Sequence, residues 1–204
     1  LITAPTSEEM ISAQNLPREI ILHHSGIGTP KTMFSLMQKL ENERFDLMIQ
    51  IGIAGTFHPE KYPNGTLAIV KEDVFADILI DDNGKKRKVS ELGFNDYNDY
   101  PFQNGFLVND CVPFFSEEMP ELRSITVNTT TGNQISMQKR NDMYHPDLET
   151  MEGAAFFYIA MMKGIPCLQL RAVSNPVGPR NTKNWDVALA IQKLHAFLKR
   201  ELLP

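Results

Sequence analysis

The feature that most constrains the fold is a regular alternation of apolar segments and helical patterns over residues 1–55. The apolar segments are residues 1–4, 19–24 and 46–51, and each is followed directly by Gly, Pro or Ser. Between the last two segments, apolar side chains recur with the period of a helix at Met33, Phe34, Met37 and Leu40. Strands that alternate with helices pair in parallel. The sequence therefore predicts an α/β fold in which helices flank a twisted mixed β-sheet.

The rest of the chain continues this pattern without an internal repeat or a linker. We predict β-structure over 66–80 and 125–131, an apolar helix over 151–163, a buried strand over 166–173 and an amphipathic helix over 187–198. Further helices are predicted after Pro5-Thr6-Ser7, with Glu8 and Glu9 in the first turn, and from Thr29, with Pro30 at the first position. Predicted loops are 52–55, 95–100 and 174–184. We expect all 204 residues to form one domain.

Charge and composition limit the partners. The chain has 20 Lys and Arg against 25 Asp and Glu, and its net charge of −5 repels nucleic acid and anionic lipid surfaces. No segment reaches the roughly 20 apolar residues that cross a membrane. We therefore expect neither nucleic acid nor a membrane as a partner. Two cysteines, Cys111 and Cys167, suggest reduced thiols and a cytoplasmic protein. The start at Leu1, without an initiator Met, suggests that residues precede it.

Candidate functional residues lie where predicted strands end or helices begin, which is where open α/β sheets bind ligands. They form four groups, which are Glu8 with Glu9, residues 52–55, Glu152 and residues 171–175. The first two groups have ordinary structural explanations. The helix dipole favours acidic residues in a first helical turn, and short glycine motifs occur in many tight turns.

Glu152 and Arg171 are harder to explain as structural residues, because each adjoins or interrupts an apolar segment. An unpaired buried charge is costly. Glu152 either caps its own helix at the surface or faces a polar cavity. Arg171 either forms a structural ion pair or serves a site. Asn175, which precedes Pro176, is equally explained as a turn residue.

Together these segments resemble the nucleoside phosphorylase and nucleosidase superfamily over nearly the whole chain. The resemblance rests on Ser25-Gly26-Ile27-Gly28, Gly52-Ile53-Ala54-Gly55, Met151-Glu152-Gly153-Ala154-Ala155 and Arg171-Ala172-Val173-Ser174-Asn175. Within the superfamily, Ala4-Pro5-Thr6, residues 149–157 and 174–178, Arg180-Asn181 and Trp185 are most similar to the futalosine hydrolase family of menaquinone biosynthesis. The resemblance implies a nucleoside phosphorylase-like fold, a homodimer, and hydrolysis of futalosine at its N-glycosidic bond with release of hypoxanthine.

The resemblance also implies roles for individual residues. Glu9 would activate the attacking water, although a one-residue shift in alignment selects Glu8 instead. Glu152 would bind the ribose 2′-hydroxyl, and Arg171 would order the glutamates and the water. These residue types suit the reaction, because cleavage develops oxocarbenium-like charge on the sugar and needs a carboxylate to activate water. The expected substrate-binding set is completed by Ala54, Gly55, Thr131, Gly132, Met151 and Ser174.

Asn175 departs from the methylthioadenosine/S-adenosylhomocysteine nucleosidases, which carry Asp at this position. A protonated carboxyl group matches adenine, which presents an acceptor at N7 beside a donor amino group. An Asn side chain can instead accept from N7–H and donate to O6, which is the pattern of departing hypoxanthine. The sequence therefore favours a 6-oxopurine as the leaving base.

Three alternative functions are less favoured. Asn175 argues against a methylthioadenosine/S-adenosylhomocysteine nucleosidase, and the acidic pair Glu8 and Glu9 would oppose the phosphate that a phosphorylase needs. A catalytically silent nucleoside-binding protein would not need Glu9, Glu152 and Arg171 together. No cofactor is expected, and no metal, because His23 and His24 lack Cys or Asp at ligand spacing. Some of the 12 Phe and 10 Met are candidates to bind the aromatic 5′ extension of futalosine.

Overall fold

The computed structural model describes residues 1–11, 16–92, 98–111, 115 and 118–202. The strands are β1 (Ile2–Ala4), β2 (Leu22–His24), β3 (Met48–Thr56), β4 (Leu67–Asp73), β5 (Leu79–Asp82), β6 (Lys85–Lys88), β7 (Phe102–Gln103), β8 (Phe106–Val108), β9 (Glu121–Thr126), β10 (Leu148–Thr150) and β11 (Cys167–Pro176). The helices are α1 (Thr29–Asn42), α2 (Gln134–Tyr144), α3 (Gly153–Met162) and α4 (Val187–Leu202), with short 3-10 turns at Val89–Leu92 and Thr182–Asn184.

Strands β3 and β11 organise the main sheet. β3 pairs with β1, β10 and β11, and β11 also pairs with β4. β9 lies between β4 and β10 and is parallel to both, so β3, β11, β4, β9 and β10 close into a ring. β1 and β2 extend the sheet in parallel beyond β3, and β8 and β7 extend it antiparallel beyond β4. The predicted mixed α/β sheet is confirmed.

Helices cover both faces of this sheet. Alternate residues of β3 point to opposite sides, so Met48 packs with α1 and α3, while Ile49 and Ile51 pack with α4. α3 is buried around most of its surface, as its apolar sequence predicts. Each large apolar side chain buried in this way contributes about 1.5–3 kcal/mol. Among the described residues no helix is long and apolar enough to cross a membrane. One domain for all 204 residues stays a prediction.

One predicted loop and the beginning of another are strands instead. Residues 52–55 continue β3, and residues 174–176 continue β11. The two segments pair with each other, with Arg171 opposite Gly52 and Asn175 opposite Gly55. Pairing satisfies the backbone donors and acceptors of both segments, so residue types that favour turns are held in an extended conformation.

The helix predicted after Pro5-Thr6-Ser7 is absent from described residues 5–11, which form turns. Thr6 and Glu9 close a single turn by side-chain hydrogen bonds in both directions, and the Glu9 side chain is then directed into the sheet. This long-range contact replaces the solvent-facing position that a carboxylate takes in an ordinary first helical turn.

Smaller differences also have local causes. Gly28, rather than Thr29, is the residue before α1, and Phe34 is 65% exposed, because α1 buries Thr32, Leu36 and Leu40. The strand predicted over 125–131 is β9, which ends at Thr126. α2 was not predicted, because its sequence is mostly polar and shows no apolar period. In the stretch 95–100, residues 95–97 lie outside the described part.

Candidate functional site

The candidate site is a cavity of about 390 Å³ at the carboxyl ends of β1, β3, β10 and β11. The residues selected from the sequence line it, with the exception of Arg171. They are Glu9, Ala54, Gly55, Thr131, Gly132, Met151, Glu152, Ser174 and Asn175. The structure thus brings residues from both ends of the chain to the carboxyl ends of the parallel strands β1, β3 and β11, beside the antiparallel strand β10.

The structure separates the two neighbouring glutamates. Glu8 is exposed, whereas Glu9 is 7% exposed and lines the cavity. The backbone N–H of Ile53 donates to Glu9 Oε1 at 3.0 Å, and the Thr6 hydroxyl donates to Oε2 at 2.6 Å. These two donors fix the carboxylate in one orientation at the cavity wall. Of the two residues, only Glu9 is placed to act on a ligand there.

Arg171 lies behind the cavity and is fully buried. Its guanidinium donates to the side-chain oxygens of Gln50 and Gln169, while Nη1 has no acceptor among the described residues. A Cβ at Gly52 would lie 2.5 Å from Nη1 and 3.0 Å from Glu9 Oε1, so the missing side chain makes room for both groups. Burial lowers the pKa of Arg171, and the nearby Glu152, Glu9 and Asp73 carboxylates oppose that shift.

Glu152 faces the cavity instead of capping its own helix. It is the residue before α3 and 6% exposed, but its side chain makes no capping hydrogen bond there. The N–H of Gly28, at the start of α1, donates to Glu152 Oε1 at 2.8 Å. Burial raises the pKa of Glu152, and the positive charge of Arg171 counteracts this. The carboxylate can therefore accept a hydrogen bond from a ligand beside a fixed cation.

A third buried carboxylate, Asp73, supports Arg171 indirectly through Gln169. Asp73 is fully buried and accepts hydrogen bonds from Val74 N at 2.8 Å, Thr126 Oγ1 at 3.0 Å and Gln169 Nε2 at 3.3 Å. Because Gln169 donates to Asp73 through its nitrogen, it presents its oxygen to Arg171 at 3.1 Å. Burial raises the pKa of Asp73 to about 6. Asp73 thus orients the amide that holds Arg171.

Asn175 is directed into the cavity by an irregularity in β11. The register between β11 and β3 shifts between Val173 and Asn175, a bulge of the kind that often re-aims a side chain beside an active site. The Pro176 carbonyl can only accept, so the group 3.0 Å from it is the Asn175 amide nitrogen. The Asn175 oxygen accepts from the Ser174 hydroxyl at 2.8 Å. One N–H and one lone pair of the amide remain for a ligand.

Thr131 is bound to Glu149, a buried residue that the sequence did not single out. The Thr131 N–H donates to Glu149 Oε1 at 2.8 Å, and its hydroxyl donates to Oε2. Arg140 donates to the same hydroxyl and, at 3.0 Å, to Oε2. The N–H of Thr131 is therefore occupied, and its carbonyl is the backbone group left for a base.

Other cavity residues were also missed as site residues. Ile27, Glu149, Arg180 and Trp185 line the cavity, and the Arg180 guanidinium lies 5.3 Å from the Trp185 ring centre. A charged side chain in the middle of a short buried strand was the available signal for Glu149. Arg180 and Trp185 belong to the segments that carry the family resemblance, but no site role was predicted for them; they come from a loop and the end of a 3-10 turn.

Comparison with known proteins now identifies the family. The family model of the phosphorylase superfamily matches residues 15–202. The chain is 30% identical over 192 residues to the futalosine hydrolase of Streptomyces coelicolor, and the match covers 90% of this chain and 79% of the relative. It belongs to the futalosine hydrolase family of this superfamily. The resemblance stated from the sequence is confirmed.

Further relatives agree with this membership. The futalosine hydrolase of Thermus thermophilus is 26% identical over 186 residues, covering 87% of this chain and 79% of the relative. A futalosine hydrolase mutant structure from Helicobacter pylori has a TM-score of 0.74 and 14% identity, covering 97% of this chain and 95% of the other. A methylthioadenosine/S-adenosylhomocysteine nucleosidase from Campylobacter jejuni has a TM-score of 0.72 and 17% identity, covering 96% and 93%. At these identities the structures show that the fold of this futalosine hydrolase family member is shared.

Proposed function

We propose that this member of the futalosine hydrolase family hydrolyses the N-glycosidic bond of futalosine and releases hypoxanthine, as a step of menaquinone biosynthesis. The observation that carries the proposal is that Glu9 and Glu152 line one cavity with Arg171 directly behind them, and that each of the three is almost fully buried. Charges cost several kcal/mol to bury, so three of them at a ligand-sized cavity are best explained by a reaction that develops charge.

Each carboxylate has its own role in the proposed reaction. Glu9 removes a proton from a water molecule as the water oxygen bonds to the anomeric carbon. The bond from that carbon to N9 breaks, its electron pair leaves with the base, and the base takes a proton from solvent at N7. Glu152 accepts a hydrogen bond from the ribose 2′-hydroxyl, which strengthens as the sugar becomes positive. Arg171 lies close to both carboxylates and supplies a fixed positive charge that orders them and the attacking water.

Asn175 supports hypoxanthine as the leaving base. Its amide is oriented by Pro176 and Ser174, so that its oxygen can accept from N7–H while the remaining N–H donates to O6. A 6-aminopurine would present an N–H donor to that N–H. The proposed site therefore disfavours adenine, which is the base of methylthioadenosine.

A second hollow supports a substrate with an aromatic, carboxylate-bearing 5′ extension. This hollow, of about 480 Å³, shares Pro5 and Thr6 with the main cavity and is also lined by Lys31 and Phe34. Lys31 lies in the first turn of α1, where the helix dipole disfavours a cation, and its stem lies against Gly26. A positive charge and an exposed ring together suit an aromatic carboxylate.

We further propose a homodimer that works in the cytoplasm. Ile27 and Phe34 are exposed by 56% and 65% at the mouths of the two hollows, and a second copy of the chain would remove them from water. Both cysteines are thiols, which suits a reducing compartment. Sedimentation should give twice the mass of the chain, and a monomer mass would contradict the dimer.

The function is tested by incubating the purified protein, in phosphate-free buffer, with futalosine, inosine and methylthioadenosine in parallel. Chromatography of the free bases should show hypoxanthine from futalosine. Adenine from methylthioadenosine would instead indicate the related nucleosidase, and release that requires phosphate would indicate a phosphorylase. Lys31→Ala should raise the KM for futalosine and leave that for inosine unchanged, because inosine lacks the 5′ extension.

A further inference from the structure

Glu149 is a buried cavity residue to which the proposed reaction assigns no role. It is 7% exposed and lies at the centre of β10, where it is the register partner of Gly55 in β3. Asn175 is the partner of the same Gly55 from the opposite side, through β11. Paired residues in a sheet project to the same face. A carboxylate and an amide therefore flank Gly55, whose missing Cβ makes room for Val177 and for the Asn175 amide: a Cβ there would lie 2.8 Å from Val177 Cγ2 and 3.2 Å from Asn175 Nδ2.

The hydrogen bonds of Glu149 leave one acceptor position open. A carboxylate accepts at about four positions. Within the described residues, Thr131 N–H occupies one position on Oε1, and the Thr131 hydroxyl and Arg140 occupy two on Oε2. The remaining position belongs to Oε1. Arg140, itself bound to Asp77 at 2.9 Å, fixes the carboxylate in orientation.

An ionised carboxylate can only accept, which makes it selective for one edge of a purine. A 6-oxopurine carries a proton on N1 beside O6, whereas a 6-aminopurine has an unprotonated N1 that is itself an acceptor. Two facing acceptors repel each other in a buried site. Glu149 therefore complements a 6-oxopurine at the ring position beyond the N7 and O6 edge that Asn175 contacts.

We infer that Glu149 binds the N1–H of the base and, together with Asn175, makes the cavity specific for 6-oxopurines. Arg140 and Asp77 act as positioning residues, because Arg140 contacts Glu149 and the Thr129 carbonyl, and Asp77 contacts Arg140, rather than the base. The inference rests on the proposed function for the identity of the base. It adds a specificity-determining residue to the reaction.

The test compares futalosine with its 6-amino counterpart in the natural protein and in Glu149→Gln. In the variant the amide oxygen faces Arg140, which can only donate, and the amide nitrogen takes the place of Oε1, where it gives up the hydrogen bond from Thr131 N–H and offers N1 a donor instead of an acceptor. The ratio of kcat/KM for the 6-oxo over the 6-amino substrate should fall at least about tenfold. Glu72→Gln, which removes a carboxylate paired to Arg123 outside the cavity lining, should leave the ratio unchanged. An equal loss for both substrates in Glu149→Gln would overturn the inference.

A binding measurement on the natural protein tests the inference even if the Glu149→Gln variant does not fold. Calorimetry with hypoxanthine, 1-methylhypoxanthine and adenine reads base recognition without catalysis. The methyl group replaces the N1 proton, so 1-methylhypoxanthine should bind at least about tenfold more weakly than hypoxanthine. Equal affinities would refute the role of Glu149. Selective hypoxanthine binding without any hydrolysis of futalosine would leave Glu149 as a base-binding residue and refute the proposed function instead.

Discussion

Charged side chains occur in two contrasting regions, the cavity at the carboxyl edge of the main sheet and the β5–β6 hairpin. In the hairpin, the side chains of Lys86 and Asp81 are 49% and 52% exposed and lie 2.7 Å apart. At the cavity, Arg171 is fully buried and Glu152 is 6% exposed. Water solvates the hairpin charges, so their pairing adds little to stability. The buried charges are instead held by Gln50 and Gln169, on β3 and β11, and by the Gly28 N–H before α1, an arrangement expected of a ligand site.

The largest effect is expected from the two adjacent glutamates. Glu9→Gln removes the proposed base and should lower kcat for hypoxanthine release by about 10²–10⁴-fold. Glu8→Gln is the matched control, because Glu8 is exposed and should behave like a hairpin charge. Comparable activity of the two variants would remove the distinction between the regions.

A smaller loss is expected when space is removed beside Arg171. A Cβ at Gly52 would lie 2.5 Å from Arg171 Nη1, so Gly52→Ala should displace the guanidinium and lower kcat by about 10²-fold. Gly84→Ala is the control in the hairpin, where a Cβ meets nothing within 4 Å. That variant strains a turn of positive φ and should keep full activity. Unchanged kcat in Gly52→Ala would show that the close packing around Arg171 does not matter for turnover.

The contributions of the two regions to the free energy of unfolding should change with pH in opposite directions. Burial raises the pKa of Asp73 to about 6, so its contribution to the free energy of unfolding is present below pH 4 and is lost as pH rises through 6, by up to about 3 kcal/mol. Asp73→Asn should remove this dependence. Lys86 lowers the pKa of Asp81, whose contribution is instead lost as pH falls. Denaturant unfolding from about pH 2 to pH 8 measures both, and equal slopes above pH 4 for natural protein and Asp73→Asn would contradict the assignment.

The smallest effect is expected from the hairpin ion pair itself. Lys86→Ala should leave the melting temperature and the rate of hypoxanthine release almost unchanged, because both partners remain solvated without each other. A marked fall in either quantity would mean that the hairpin charges contact something beyond the described residues.

Elements with a strong local pattern could be predicted from the sequence. The apolar residues of α3 and the periodic apolar residues of α4 are removed from water when these segments form helices that pack on the sheet. Both helices formed where predicted. The Asn83-Gly84 turn, with φ of 52° and 85°, follows from residue types that tolerate positive φ. α2 could not be predicted in this way, because its mainly polar sequence gives no period to detect.

The residues of the candidate site also fall into those that the sequence made visible and those that it did not. Arg171 and Glu152 were visible because a charge beside or inside an apolar segment is costly wherever that segment packs. The choice between Glu8 and Glu9 was not visible, since it depends on the Ile53 N–H, more than forty residues away along the chain. Glu149 shows its signal, a charge inside a buried strand, only once β10 is known, and its partners Thr131 and Arg140 lie on other elements.

By itself the sequence determined the α/β class, the main helices and the presence of buried charge, because these follow from apolar periodicity and from the cost of desolvating ions. Only the tertiary structure decided that residues 52–55 are a strand and that Glu149 and Asn175 flank Gly55. Strand register sets these positions. It joins residues that are distant along the chain, and no local pattern encodes it.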